Sequence, residues 1–217
     1  MIADEYLICD VSDELHWDPK IHSEAIAVDA EHGVVTLRGT AGSPREKHEA
    51  RKAAERVHGV VSVDNQLQVR PMDDGTRQDD EIRADVLEAL LLDGLVPATI
   101  DAKVEDGLGT LTGTAAWQYE RDEAVQVASN IVGALDVIDE IELLQHTPRP
   151  GDVRDVIERA WKRNAVLDAE DLDIVTSNGA VTIEGTVSSW AEHDQAIQAA
   201  WAAPGVTSVE DHLKVVH

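Results

Sequence analysis

A chain of 217 residues with 43 acidic and 18 basic side chains carries a formal net charge of −25. Such a balance excludes nucleic acid as a partner, because binding there depends on neutralising phosphates with cations. A single cysteine excludes an internal disulfide and a cysteine metal cluster, and the lack of any run of about 18 apolar residues excludes a transmembrane span.

Hydrophobic residues make up 43% of the chain, yet Phe is absent and aromatics reach only 3%. Cores of Val, Ile, Leu and Ala are therefore expected, and these suit small sheets with helices lying close on them. The opening residues, MIADEYLICDVSDELHWD, carry acids where a secretory leader would carry Lys or Arg before an apolar stretch. They predict a cytoplasmic protein, or a periplasmic one if a leader has been removed. Leu7, Val11 and Leu15 share one helical face. Cys9, set among Leu7, Ile8 and Val11, is expected to be a buried, inert thiol. Trp17-Asp18-Pro19 stops this helix, since proline disfavours helix in the residue before it.

A strand follows, with Ile26, Val28 and Ala30 alternating with other residues. Glu31-His32-Gly33 is a hairpin signal, Gly33 being free to take positive φ, and VVTLRGT (Val34 to Thr40) is the returning strand. Ser43-Pro44-Arg45-Glu46 has the form of a capping box with proline at the first helical position. Ala50 and Ala54 let the helix it opens lie close on the sheet. Gly59 is expected to end that helix in left-handed conformation. The third strand, VVSVDNQLQV, alternates with period two.

The same elements are then written twice more. With Gly39, Gly113 and Gly185 superposed, the next thirty or so positions align without a gap, as an internal repeat does. Gly33, Gly107 and Gly179 fall in register, as do Gly59, Gly133 and Gly205. Ala50, Ala124 and Ala196 coincide, and so do Ala54, Ala128 and Ala200. The second copy opens on Ile82, Val86 and Leu90 and places Trp117 where Ser43 would cap the second helix. The third opens on Val153, Ile157 and Trp161 and restores the box as Ser189 to Glu192. Three domains follow, 1–70, 80–145 and 151–217, joined by polar Pro/Gly-bearing linkers at 71–79 and 146–150. Each is an α+β unit of order α-β-β-α-β, with two helices on one face of a small three-stranded mixed sheet. The middle third is the most acidic, at −14 against −5 and −6 for its neighbours.

These aligned residues resemble the BON domain (bacterial OsmY and nodulation). The first copy, from LHWDP through HGVVTLRGTA to HGVVSVDNQLQV, is close to the whole family pattern. The third keeps NGAVTIEGTV and APGVTSVEDHLKV, while the second, with GLGTLTGTA and VGALDVIDEIEL, diverges more. The resemblance covers nearly the entire chain. It implies non-catalytic modules, found in osmotic-stress proteins, secretins, mechanosensitive channels and envelope proteins, for which phospholipid surfaces are the usual proposed ligand. The function expected from it is a non-enzymatic binding or scaffold protein of osmotic or envelope stress, facing a protein or envelope partner. The alternative is a peripheral phospholipid binder, which the net charge disfavours.

No catalytic, metal or cofactor site is expected. None of the nine histidines recurs in register, and no Cys/His ligand spacing occurs. The pairs Asp73/Asp74 and Asp79/Asp80 fall in a linker and are expected to be solvated surface. The recurrent Gly-Thr lacks the further glycines and lysine of a phosphate cradle, so tight strand-to-helix geometry explains it. One polar residue does recur on the apolar face of the third strand: Asn65, Asp139 and Asp211. As buried groups they need partners, and backbone in a neighbouring loop or helix end is expected to supply them, contact with a ligand being the alternative. Arg45, Lys47, Arg51, Lys52 and Arg56 form the main basic concentration, interleaved with Glu46, Glu49 and Glu55; Arg159, Lys162 and Arg163 form a weaker one. The interleaved acids make a salt-bridged solvent face the first expectation for the main one, and contact with an anionic surface is the alternative for which both are candidates. Trp117 and Trp190, at the start of the second helix in two copies, are candidates for partner contact.

Overall fold

The structure, a computed structural model, describes residues 4–70, 77–144, 150–167 and 172–216. The first repeat runs α1 (Asp4–Trp17), β1 (Ile26–Glu31), β2 (Val34–Ala41), α2 (Pro44–Glu55) and β3 (Ser62–Val69). The second runs α3 (Asp79–Leu92), β4 (Asp101–Glu105), β5 (Leu108–Ala115), α4 (Gln118–Ser129) and β6 (Asp136–Leu143). The third runs α5 (Pro150–Arg163), β7 (Leu172–Ser177), β8 (Ala180–Val187), α6 (Trp190–Trp201) and β9 (Ser208–Val215). Linker residues 71–76 and 145–149 lie outside the described residues. By compactness the chain groups into two units, 1–115 with 119–142, and 116–118 with 143–217.

Each repeat owns one three-stranded sheet, in the orders β1-β2-β3, β4-β5-β6 and β7-β8-β9. The first two strands of each pair antiparallel, and β2 with β3 and β8 with β9 pair parallel, so these sheets are mixed. A hairpin can join the antiparallel pair, whereas the parallel pair needs the crossover that α2 and α6 supply. The hairpins share a two-residue turn with positive φ at both positions: 53° and 81° at His32-Gly33, 51° and 75° at Asp106-Gly107, 48° and 85° at Asn178-Gly179. That is the type I′ turn, whose twist matches the strands it joins.

The helices lie on one sheet face. Leu7, Val11 and Leu15 of α1 meet Val35, Leu37 and Leu67 of the sheet and Ala50 and Ala54 of α2 in one buried cluster. Val153, Ile157 and Trp161 meet Val181, Ile183, Ala196 and Ala200 in the same way. The opposite sheet face is left to residues such as Thr36, Asp64 and Gln66. Cys9 is exposed rather than buried. Two residues on from Leu7, it turns about 200° round the helix and faces away from the core.

Two glycine rows have causes other than those expected. Gly39 sits inside β2, and a Cβ there would stand 2.0 Å from the Ala25 carbonyl oxygen; at Gly113 the Thr99 oxygen would lie at 2.2 Å. The chain entering the first strand, not the strand-to-helix turn, demands glycine here. Gly59 does not end α2, which closes at Arg56 in right-handed conformation. It lies in a separate turn closed by Val60 N–H donating to Val57 O, and its φ is 98°. Gly133 (98°) and Gly205 (86°) occupy the matching turns.

Candidate binding surfaces

The recurrent polar residue of the third strand ties that strand to the second helix. Asn65 Nδ2 donates to the Lys47 carbonyl at 2.7 Å, and its Oδ1 accepts from Leu67 N–H at 3.2 Å. Asp139 accepts from Arg121 Nε and, at 3.0 Å, from Ile141 N–H. Asp211 lies 2.8 Å from His193 Nε2 and accepts from Leu213 N–H at 2.9 Å. Lys47, Arg121 and His193 hold one repeat position, a basic row not among the recurrent positions expected from the sequence. It stands 18 residues before the polar row in every copy, a constant spacing that could have revealed it. The polar residues are not buried: Asn65 and Asp139 are half-buried and Asp211 is exposed. Each belongs to a strand at the edge of its sheet, paired on one side only. Only Asn65 takes a backbone partner in the helix; the other two take side chains.

His193 is the one member of this row that titrates near neutrality. Burial lowers its pKa, but Asp194 and Asp211 outweigh burial, and the net shift is upward. Its Nδ1 stands 3.5 Å from Asp194 Oδ1, an ion-pair separation rather than a hydrogen bond. The Trp190 ring lies 4.8 Å away, centroid to centroid.

Glu46 is the buried charged residue of the described chain, at 6% exposure. Ser43 Oγ accepts from Glu46 N–H at 3.1 Å, which is half of the expected capping box. The other half is displaced by one residue, because the carboxylate accepts from Gly42 N–H at 2.7 Å instead of from Ser43. It also accepts from His22 N–H at 2.6 Å and lies 2.9 Å from His22 Nδ1. Glu192 repeats the displaced bond with Ser188 N–H at 2.7 Å. These carboxylates hold the loops around the helix start, and both oxygens of Glu46 are engaged from within its own repeat.

The basic concentration on α2 is partly neutralised. Arg51 pairs with Glu55 at 2.7 Å, and Arg56 with Glu14 at 2.8 Å and Asp18 at 2.9 Å. The Lys20 N–H and the Arg56 guanidinium hold the Asp18 carboxyl below its usual range, and Lys20 does the same for Glu49. Arg45, Lys47 and Lys52 form no ion pair among the described residues. On α5, Arg159 Nε donates to the Asp155 carbonyl, while Lys162 and Arg163 stand exposed in the last turn. Trp161, beside them in sequence, is 2% exposed and donates Nε1–H to Ala196 O at 3.1 Å, so it offers no indole to a membrane. Trp117 and Trp190 are both half-buried, Trp190 against the core of its own repeat.

Asp79 and Asp80 are not linker residues: they open α3. The Asp79 carboxylate accepts from the N–H groups of Asp106 and Gly107 at 2.8 and 2.9 Å and fixes the second hairpin turn. Asp73 and Asp74 lie outside the described residues. Among the described residues no group of three His, Cys, Asp or Glu side chains could hold a metal ion. No helix there is long and apolar enough to cross a membrane.

Three mixed sheets, each roofed by two helices and stitched by its own recurrent polar residues, define a tandem array of small α+β modules. The family model described as the BON domain matches residues 3–71, 78–145 and 151–217, so the chain belongs to the BON domain family. It is 32% identical over 127 residues to osmotically-inducible protein Y of Escherichia coli (strain K12), a match covering 56% of this chain and 63% of that protein. Less than two thirds of that relative is therefore matched. Among solved structures, CdsD, a structural protein of the type III secretion system of Chlamydia trachomatis, is 12% identical with a TM-score of 0.28, over 97% of this chain and 92% of that one. The PrgH periplasmic domain is 11% identical with a TM-score of 0.24, over 88% and 95%.

Proposed function

We propose that the chain is a non-enzymatic binding or scaffold protein of osmotic or envelope stress, and that its repeats present their differing outer surfaces to a protein partner. The observation that carries this reading is the fate of the recurrent polar residues. Glu46, Glu192, Asn65, Asp139 and Asp211 are all bonded within their own repeats. What recurs holds the fold, so recognition falls to what differs between repeats. The relative from E. coli, named for osmotic induction, supports the stress setting. In-cell cross-linking under osmotic upshift tests the reading. A protein partner joined in stoichiometric amount is expected, and a chain recovered alone would overturn it.

Phospholipid binding is the second reading, favoured by Arg45, Lys47, Lys52, Lys162 and Arg163, which no carboxylate pairs among the described residues. Against it stand the ion pairs of Arg51 and Arg56 and the net charge of −25. Co-sedimentation with phosphatidylglycerol vesicles at low and physiological salt separates the two. The chain is expected in the supernatant at both, and pelleting at physiological salt would establish the lipid reading instead.

A further inference from the structure

The first strand of every repeat is an edge strand, and at one matching position side chains cover both backbone groups in repeat two and the N–H in repeat three. In a two-residue hairpin the pair flanking the turn exchanges both hydrogen bonds, and pairs then alternate along the ladder. Glu31 and Val34 flank the first turn, so Ile26, Val28 and Ala30 direct their N–H and C=O groups to the open side. Repeat two shows what such an edge can carry. There Ala102, the counterpart of Val28, has its N–H bonded to Asp101 Oδ1 at 2.8 Å and its carbonyl to Arg83 Nε at 2.6 Å. Arg83 and Asp101 are themselves 3.3 Å apart. In repeat three Ile174 N–H donates to Asp173 Oδ1 at 3.1 Å, with Arg154 3.6 Å from the same carboxylate.

Repeat one has neither group. Taken from the buried face of the first helix, Ile8 stands where Arg83 and Arg154 stand. Taken from the strand register, Ala27 stands where Asp101 and Asp173 stand. Asp29 covers Ala30 N–H and the turn at Ser23 takes Ile26 N–H, which leaves both backbone groups of Val28 without the seal. A groove of about 340 Å³ opens at this point between α1, the short turn before β1, and β1 itself. Leu15, Ile26 and Val28 give it apolar walls, and Asp13 and Glu24 add two carboxylates with no ion pair among the described residues. An unsealed edge is a template for another strand.

We propose that β1 of the first repeat is the docking edge of this protein, and that it takes up an extended basic segment of a partner as a fourth strand. The backbone of Val28 pairs with the segment, an apolar side chain enters the groove, and Lys or Arg side chains meet Asp13 and Glu24. A second copy of this chain fits the edge less well, since each copy brings the same acidic rim and a charge of −25. This assignment rests on the binding-module reading and names its surface.

Fluorescence anisotropy with a labelled peptide alternating Val and Lys tests it on the full chain. Saturable binding is expected, and none for the Val and Glu counterpart or for a peptide N-methylated at alternate amides. Ala27→Asp, at an exposed position, restores the carboxylate seal and should weaken binding at least tenfold, although its added negative charge would strengthen a merely electrostatic contact. The pair Ile8→Arg with Ala27→Asp transplants the whole seal at unchanged net charge and should weaken binding as much. No binding of the basic peptide, or equal or tighter binding by Ala27→Asp, would overturn the proposal. So would sedimentation showing a wild-type dimer that Ala27→Asp dissolves. If the peptide fails while cross-linking still joins a protein partner, only the edge assignment falls.

Discussion

The first and third repeats meet the same demands with different chemistry. Under the first helix one places Leu15 and the other Trp161, both nearly inaccessible at 1% and 2% exposure. Between the second helix and the edge strand one uses an amide bonded to backbone, and the other a histidine facing a carboxylate. At the start of the second helix both keep the displaced carboxylate cap, but Glu46 gathers His22 as well as Gly42. The backbone devices do not vary: the type I′ turn, the glycine under the incoming chain and the paired alanines recur. Side chains diverge where the backbone conformation stays the same, and there the repeats acquire separate properties.

The core residue gives the sharpest contrast. Trp161→Ala should destabilise the third repeat by about 3–5 kcal/mol, the usual range for emptying a buried aromatic site. Native-state hydrogen exchange reads this repeat by repeat. Amides of β8 and β9 should exchange faster while those of β2 and β3 keep their protection. Equal acceleration in both would mean that the two cores do not respond separately, and the comparison would break.

The carboxylate cap comes next. Glu46→Ala strips the acceptor from Gly42 N–H and His22 N–H together, and should cost about 2–3 kcal/mol, since bonds to a charged group are each worth more than neutral ones. Glu192→Ala removes the one bond to Ser188 N–H seen among the described residues and should cost about 1 kcal/mol. Thermal melting of the two variants side by side checks the order. Equal losses would show that the His22 contacts add nothing.

How much of this was legible depended on whether a constraint was local. The hairpins, the alanine faces and the helix start at Pro44 follow from residues within a few positions of one another, and they read directly. The Gly39 row also read as a row, but its cause, the Ala25 oxygen arriving from an earlier segment, is invisible without the fold. Cys9 was expected inside because its sequence neighbours are apolar, although its angular position on α1 points outward. The pairing of the basic row with Asn65, Asp139 and Asp211 needed the parallel crossover to bring helix and strand together. The seal on the strand edge was hidden for another reason. The segment before the first strand differs in length between repeats, so a gap-free register sets Arg83 against Cys9 instead of Ile8.

The smallest effect is a difference of sign. His193 has its pKa raised by Asp194 and Asp211 against the pull of burial. Its contribution to stability is fully present below the unfolded value of about 6.5 and is lost as pH rises through the higher folded value. His48, on α2 of the first repeat, has its pKa lowered by burial and then by Lys52. Its contribution is present above about 6.5 and is lost as pH falls through the lower folded value. His48 is itself exposed, although its helical neighbours desolvate it enough to lower its pKa, so its share is the lesser. Hydrogen exchange at pH 5.5 and pH 8, corrected for intrinsic rates, should show the third repeat losing protection relative to the first as pH rises. His193→Gln should flatten the slope of the third repeat and leave that of the first. A slope that survives His193→Gln would place the titrating group elsewhere and remove the histidine from the comparison.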